Sequence, residues 1–134
     1  MLTRGQPPWV AVVDDELALR ESIAGLLRSA GLPTTGFASA EDFLGANTSG
    51  LGCLVLDIRL PGMSGLELQQ HLHRMGRRLP VVFVTAEADA DGRLCEQACR
   101  CGAAAFLHKP FLGDDLLAEV HHALALQGSA HGST

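Results

Sequence analysis

The chain has 134 residues and a mass of 14.1 kDa, enough for one domain that buries its own core without disulfides or a structural metal. Its formal net charge is −5, with 47% hydrophobic and 19% charged residues, so its electrostatics do not favour binding of nucleic acid by this chain. No apolar run approaches the roughly 20 residues of a membrane span. Residues 1–8 also lack the apolar segment of a signal peptide, so we expect a cytoplasmic protein without membrane attachment.

The first predicted unit is a strand, an acidic turn and a helix. Residues 9–13 are an apolar run typical of a buried strand, and Asp14-Asp15-Glu16 follows it. Apolar residues then recur at helical spacing from Leu17, and Gly31 is placed to end the helix. The inner face of this helix is predicted to hold Leu19, Ile23, Leu26, Leu27 and Ala30.

The second predicted unit, a strand and a short helix, has a weaker sequence signal. Residues 32–38 are predicted as a strand interrupted by Gly36. Ser39 is placed to cap a short helix that carries Phe43 and Leu44, and the acidic first turn of this helix suits the helix dipole. Residues 47–52 are predicted as a loop.

The third strand is an apolar run, residues 53–56, that ends at Asp57. A strand of so few residues cannot bury an ionised group, so we expect Asp57 to lie near solvent. Pro61 and Gly62 end regular structure and precede a helix. The inner face of that helix is predicted to hold Leu68, Leu72 and Met75, and its surface Gln69, Gln70, His71 and His73.

The last two units complete the alternation. Residues 81–84 form a fourth strand that stops at Thr85, and a polar link leads to a helix closed by Gly102. Residues 103–107 form a fifth strand that ends just before Lys109. The final helix covers residues 114–127, and its inner face is predicted to hold Leu116, Leu117, Val120 and Leu124.

The four cysteines do not suggest a disulfide framework. Cys53 lies in a strand, and Cys95, Cys99 and Cys101 crowd into one segment, so we expect reduced thiols. These three thiols and His108 are zinc ligands in type, but their spacing matches none of the usual two-cysteine knuckles. A zinc site is therefore disfavoured, and the role of the cluster stays open.

Five strands that alternate with five helices predict a parallel sheet covered on both faces by right-handed crossovers. The fold class is therefore α/β, doubly wound. In such sheets ligands bind beyond the carboxyl ends of the strands, where the winding direction reverses. We expect the chemistry of this protein at that edge.

Reactive side chains follow four of the predicted strands at that edge: Asp14, Asp15, Asp57, Thr85 and Lys109. Three carboxylates brought close together should either raise a pKa or hold a divalent cation, and an all-oxygen set favours Mg²⁺ or Mn²⁺. A carboxylate oxygen of Asp57 is then able to attack phosphorus, while Thr85 and Lys109 offer donors to phosphoryl oxygens. Taken singly, each residue also suits an ordinary role as a helix cap, a strand end or a surface charge.

Together the residues resemble the receiver domain of two-component response regulators over residues 9–127. Four segments stand at the family's spacing: Val12-Val13-Asp14-Asp15-Glu16, Leu56-Asp57-Ile58-Arg59-Leu60-Pro61-Gly62-Met63-Ser64-Gly65, Val84-Thr85-Ala86 and Lys109-Pro110-Phe111. Two further segments are similar to receivers of the FixJ type: Ser39-Ala40-Glu41-Asp42-Phe43-Leu44 and Ser64-Gly65-Leu66-Glu67-Leu68. The resemblance implies a flavodoxin- or CheY-like sheet of five strands in the order 2-1-3-4-5.

The resemblance implies a phosphorylation site at Asp57, the acceptor of a phosphoryl group from a sensor histidine kinase. Magnesium, or manganese, would be held by Asp15, Asp57 and the backbone carbonyl of Arg59, with Asp14 acting through water. The phosphoryl group would be bound by Thr85, Ala86 and Lys109. The domain would catalyse its own phosphoryl transfer and slow dephosphorylation, and it would not be an enzyme acting on a metabolite. The family also implies a cis Lys109-Pro110 bond, the minor form for X-Pro bonds in general.

The same resemblance implies an output. Thr85 would move toward the phosphoryl group and Phe106 would turn inward, which changes the surface of the fourth helix and fifth strand, the face of a homodimer where one forms. Residues 94–101 depart from the family on that helix and leave dimerisation there open. We also predict that Arg59 and Glu87 flank the site and restrict attacking water; two solvated charges are the alternative.

Two other classes of protein use similar residues. A Mg²⁺-dependent phosphatase of the haloacid dehalogenase class also has a strand-end Asp nucleophile, but it needs a second acid two residues later, where this chain has Arg59. A flavodoxin-like FMN module needs a phosphate-cradling loop after the first strand, where Asp14-Asp15-Glu16 would repel phosphate.

Three segments divide the chain. We expect residues 1–8 to be a disordered leader, residues 9–127 to be the receiver domain, and residues 128–134 to be a polar tail or the start of an interdomain linker. In receivers of the FixJ type a DNA-binding helix-turn-helix domain follows, which favours the excised front of a transcription regulator. A stand-alone receiver that acts by protein–protein contact is the alternative.

Overall fold

The computed structural model describes residues 8–86, 92–100 and 102–132. Within these ranges the strands are β1 (Trp9–Val13), β2 (Thr34–Phe37), β3 (Leu51–Asp57), β4 (Val81–Thr85) and β5 (Ala105–His108). The helices in the same ranges are α1 (Leu17–Ser29), α2 (Ala40–Leu44), α3 (Gly65–Arg74), α4 (Arg93–Arg100) and α5 (Gly113–Gly132). Neighbouring strands are parallel in the order β2-β1-β3-β4-β5, so the predicted doubly wound α/β fold is confirmed.

Side chains alternate between the two faces of the sheet and supply two apolar clusters. One cluster joins the sheet to α1 and α5 and contains Val10, Val12, Val55, Val82, Ile23, Leu27, Leu116 and Val120. The other joins the sheet to α2, α3 and α4 and contains Ala11, Val13, Leu54, Leu56, Phe43, Leu68, Leu72 and Ala98. Because β3 and β4 are buried along their whole length, they read as unbroken apolar runs in the sequence.

The start of α3 is fixed by its own sequence. Glu67 N–H donates to Ser64 Oγ at 3.2 Å, and Ser64 N–H donates to Glu67 Oε1 at 2.8 Å, which together form a capping box. Gly65 lets the helix begin against the end of β3, because a Cβ there would collide with the backbone carbonyl of Asp57. The helix therefore starts directly beside the predicted acceptor.

Two predictions for α3 are wrong. Met75 is exposed rather than inward, because it is the C-cap residue and Gly76, with φ of +78°, turns the chain away from the helix. Gln69 is only 1% exposed rather than on the surface, and within the described part of the chain its side-chain polar atoms have no hydrogen-bond partner. Its helical position beside Leu68 and Leu72 faces the core, but its polar side chain hid this from a pattern based on hydrophobicity.

Several element boundaries also differ from prediction. β3 begins at Leu51, inside the predicted loop, because Leu51 pairs with Trp9 of β1. Ala30 is the C-cap of α1 and is exposed. α5 continues to Gly132, through five residues predicted as tail, since extending a formed helix costs little. Among the helices of residues 8–86, 92–100 and 102–132, none has the length and apolar character needed to cross a membrane.

Candidate functional site

The register of the parallel sheet brings the predicted site residues to one edge. β1 and β3 pair so that Asp14 follows level with Asp57. β4 and β5 pair so that Thr85 lies opposite His108, one residue before Lys109. Because the strands are parallel, their carboxyl ends meet, and the side chains that follow them lie together.

Asp14, Asp15 and Asp57 form an acidic cluster. One carboxylate oxygen from each lies within 4.8 Å of the others, close enough for a single divalent cation to contact all three. Asp15 is exposed, whereas Asp14 and Asp57 are 1% and 5% exposed. The expectation that Asp57 lies near solvent is therefore wrong. A donor set of carboxylate oxygens fits Mg²⁺ or Mn²⁺ better than softer metals.

Lys109, the single lysine of the chain, explains how two carboxylates are buried together. Its Nζ donates to Asp57 Oδ2 at 2.9 Å and to Asp14 Oδ2 at 3.1 Å, and its side chain is 16% exposed. Its backbone N–H donates to the Thr85 carbonyl at 2.8 Å, and the Lys109-Pro110 bond is cis, as predicted. The ammonium compensates charges that an isolated strand end could not bury.

Backbone groups fix the orientation of both buried carboxylates. The Arg59 N–H donates to Asp57 Oδ1 at 2.9 Å, and the Glu16 N–H donates to Asp14 Oδ1 at 2.9 Å. Each carboxylate therefore accepts a backbone hydrogen bond through its Oδ1 atom and directs its Oδ2 atom toward Lys109 Nζ. Arg20 Nη1 also donates to the Asp14 carbonyl at 2.8 Å, a contact that the hydrophobic pattern of α1 did not indicate.

The pKa values of Asp57 and Lys109 are both raised, for different reasons. Burial raises the pKa of Asp57 and the Asp14 carboxylate adds to this, while hydrogen bonds from Lys109 and the Arg59 amide oppose it. Burial lowers the pKa of Lys109, but its hydrogen bonds to both carboxylates outweigh this effect and raise it overall. Lys109 therefore stays charged at neutral pH beside a carboxylate that is costly to keep ionised.

The predicted switch residues lie at the neighbouring strand ends. Thr85 is fully buried and Ala86 after it is exposed. Phe106 is half-buried, with its ring centroid 6.5 Å from that of Phe83 and 5.1 Å from that of His108. His108 was not predicted to contact Phe106, although residues two apart on a strand share a face.

Several predicted residues fall outside the described part of the structure. They are Glu87, Cys101 and the side chains of Cys95 and Cys99. The zinc hypothesis therefore stays untested. Cys53 is buried in β3 as a free thiol, and burial raises its pKa to about 12, so this thiol is chemically inert in the folded protein.

An apolar groove of about 810 Å³ opens beside the acidic edge, between α1 and the start of α5. Its lining includes Leu19, Ile23, Leu26, Pro110 and Phe111, with Glu16 and Lys109 at its polar end. Leu17 and Leu112 are direct sequence neighbours of lining residues and are 56% and 70% exposed. An open groove lined mainly by apolar side chains favours a binding surface.

A model of the response regulator receiver domain family matches residues 10–121. The chain belongs to this family. The transcriptional regulatory protein TdiR of Thauera aromatica is 46% identical over 123 residues, which cover 91% of this chain and 53% of TdiR. The transcriptional regulatory protein FixJ of Azorhizobium caulinodans is 43% identical over 116 residues, which cover 86% of this chain and 54% of FixJ. The chain thus spans about half the length of the curated relatives it matches.

Solved structures agree with this assignment. The response regulator StyR superposes with a TM-score of 0.85 at 41% identity, covering 95% of this chain and 64% of the StyR chain. FixJ-N superposes with a TM-score of 0.79 at 31% identity, covering 90% of this chain and 95% of FixJ-N. The receiver domain is thus a signalling domain of two-component response regulators, and the phosphatase and FMN-binding alternatives are set aside. Receiver domains interact with sensor histidine kinases and bind Mg²⁺ at an acidic pocket, which corresponds here to the acidic cluster.

Proposed function

We propose that Asp57 of this receiver domain accepts a phosphoryl group from a phosphohistidine of a sensor histidine kinase. The position of Asp57 carries this proposal, because its buried carboxylate belongs to the acidic cluster and its Oδ2 lies 2.9 Å from Lys109 Nζ. A purely structural aspartate gains nothing from two further carboxylates nearby. A phosphoacceptor that works with a divalent cation requires them.

The transfer is a displacement at phosphorus. A carboxylate oxygen of Asp57 attacks the phosphorus atom, the P–N bond to the kinase histidine breaks, and the imidazole nitrogen leaves with the bonding electrons. Asp15, Asp57 and the Arg59 carbonyl would hold Mg²⁺ or Mn²⁺, with Asp14 assisting through water, and the bound cation would supply positive charge that offsets the charge of the transferring group. Lys109 Nζ shifts from the carboxylate to a phosphoryl oxygen. Slow hydrolysis of the acyl phosphate later restores Asp57.

Thr85 and Ala86 complete the phosphoryl site in this proposal, and Phe106 reports its state. The Thr85 hydroxyl turns toward a phosphoryl oxygen, and the Ala86 backbone N–H donates to another. The half-buried Phe106 then moves inward beside Phe83. The surface of α4 and β5 changes as a result, and this is the face that a homodimer would use where one forms.

The groove between α1 and α5 supports docking of the kinase on that side of the acidic edge. It ends at Lys109, so a partner seated there would hold its phosphohistidine close to Asp57. The exposed Leu17 and Leu112 offer apolar area to such a partner. Arg59 and Glu87 remain predicted to restrict attacking water, and Arg59→Ala or Glu87→Ala should therefore shorten the lifetime of the phosphorylated protein.

The relatives' names support an output in transcription. TdiR and FixJ are transcriptional regulatory proteins about twice as long as the matched region. We infer that this receiver acts in the cytoplasm and controls transcription through a C-terminal DNA-binding domain. The net charge of −5 agrees with leaving the DNA contact to another domain.

The experiment that tests the proposal is incubation with Mg²⁺ and acetyl phosphate, followed by intact-mass measurement. We expect the protein to gain one phosphoryl group, and the gain to disappear in Asp57→Asn and in the presence of a metal chelator. The matched control Asp42→Asn removes an exposed acid of α2 and should be phosphorylated normally. Fluorescence of Trp9, the single tryptophan of the chain, would respond weakly to phosphorylation of Asp57, because Trp9 lies at the amino end of β1, opposite to the acidic edge. Equal phosphorylation of wild type and Asp57→Asn would refute the assignment.

A further inference from the structure

The acceptor loop, residues 58–64, connects β3 to α3 and contains the Arg59 carbonyl assigned above to the metal. Its two ends are anchored. The Gly65 N–H donates to the Ile58 carbonyl at 2.9 Å, and Ser64 belongs to the capping box of α3. Leu60 in its first half is buried in the core, whereas residues 61–62 are exposed. The exposed turn at residues 61–62 therefore gains little support from core packing, whereas Met63 after it is half-buried at the edge of the core.

A side chain from α2 reaches the outer half of this loop. Glu41 Oε2 accepts the Met63 N–H at 3.1 Å, across 22 positions of sequence. The same oxygen also lies close to Gly62, where an added Cβ would come within 2.8 Å of it. Gly62 has φ of +75°, so the loop makes its tight turn directly against the Glu41 carboxylate.

The helix that carries Glu41 is firmly placed. Ser39 Oγ accepts the Asp42 N–H at 3.0 Å and caps α2. Phe43 is fully buried and packs edge-to-face on Phe37 of β2, with ring centroids 5.5 Å apart. Glu41 is therefore held by a helix that is fixed to the sheet, although the phosphoryl transfer proposed above assigns no role to residues 39–44.

We propose that Glu41 is a positioning residue that holds the acceptor loop and, through it, the Arg59 carbonyl in the geometry that binds Mg²⁺. This inference rests on the proposed function. Without the bond to Met63, the outer half of the loop samples more conformations, and the carbonyl must be ordered again each time the metal binds. Because a single surface hydrogen bond contributes modestly, we expect the affinity for Mg²⁺ to fall on the order of fivefold, not to vanish.

Glu41 also lies in the first turn of α2, where any acid interacts favourably with the helix dipole. Asp42 stands in the same turn and is also exposed, and among the described residues its side chain makes no hydrogen bond to the acceptor loop. Asp42→Ala is therefore the matched control for loss of an acid from this turn. Glu41→Gln keeps an acceptor oxygen and is the conservative variant.

The test measures the Kd for Mg²⁺ by calorimetry in wild type, Glu41→Ala, Glu41→Gln and Asp42→Ala. We expect weaker binding only in Glu41→Ala, with thermal unfolding of the metal-free variant close to that of Asp42→Ala. Equal affinity in Glu41→Ala and wild type would overturn the inference. So would equal weakening in Asp42→Ala, or a Glu41→Gln variant as weak as Glu41→Ala.

Amide hydrogen exchange by NMR gives a second readout that needs no metal. Exchange of the Met63 N–H should be faster in Glu41→Ala and unchanged in Glu41→Gln and Asp42→Ala. Unchanged Met63 exchange in Glu41→Ala would refute the anchoring contact itself. The two proposals fail separately: a wild-type protein that binds no Mg²⁺ refutes the proposed function, whereas normal binding in both wild type and Glu41→Ala refutes only the role of Glu41.

Discussion

Replacing Lys109 with Met removes the ammonium that lies between two buried carboxylates and keeps most of the apolar volume of the side chain. Asp14 and Asp57 would then face each other without the group that now donates to both. We therefore expect a large loss of stability at neutral pH in metal-free buffer.

The distances set the size of this loss. At 2.9 and 3.1 Å, each pair of Nζ and Oδ2 atoms attracts by about 5–6 kcal/mol at an effective dielectric constant of about 20. Much of this offsets the cost of burying the charges, so breaking a buried pair costs about 3–5 kcal/mol. In Lys109→Met, Asp57 can take up a proton, because its pKa is already raised. This uptake limits the loss in the free energy of unfolding to about 3 kcal/mol. For 134 residues this lowers the unfolding midpoint by about 10 °C.

Denaturant unfolding followed by circular dichroism measures the effect. Arg100→Met is the control, since it breaks an exposed pair with Glu96 and should cost less than about 1 kcal/mol. The loss in Lys109→Met should shrink at acid pH, where the carboxylates are protonated, and in Mg²⁺, which replaces the missing charge. In wild type, stabilisation by Lys109 is present at neutral pH and disappears as pH rises through its raised pKa. A loss no larger than that in Arg100→Met would refute this reasoning.

Three further predictions concern buried polar groups. Asp57→Asn should increase the free energy of unfolding in metal-free buffer, because burial raises the pKa of Asp57 and makes its ionised form costly. This gain in stability should be complete at pH values above the raised pKa. It should disappear as the pH falls below the ordinary pKa range of Asp. Denaturation across pH measures it, and a gain that does not depend on pH would contradict it. Gln69→Leu should stabilise the protein by about 1–2 kcal/mol, because it removes a buried amide without a partner among the described residues, whereas the exposed Gln70→Leu should not. Cys53, with a pKa of about 12, should resist iodoacetamide until the protein unfolds, and peptide mass mapping that finds it alkylated in the native state would count against this.

The periodicity of the sequence was enough to predict the doubly wound α/β fold class, whereas the strand order followed from the family resemblance. Strands buried on both faces appear in the sequence as unbroken apolar runs, and amphipathic helices appear as a 3.6-residue repeat, so β3 and α1 could be told apart. Because parallel strands end at one edge, the positions of the strand ends also predicted that Asp14, Asp57 and Lys109 would converge. That convergence required no knowledge of any side-chain conformation.

Sequence periodicity could not determine which polar groups are buried or which partners they have. The bond between Lys109 and Asp14 joins residues 95 positions apart, and the bond between Glu41 and Met63 spans 22. The sequence pattern predicted that Asp57 faces water, because its burial depends on Lys109, which follows β5 and is distant in sequence. Local patterns record a residue's neighbours along the chain, whereas the free energy of a buried charge depends on the groups that the fold brings to it.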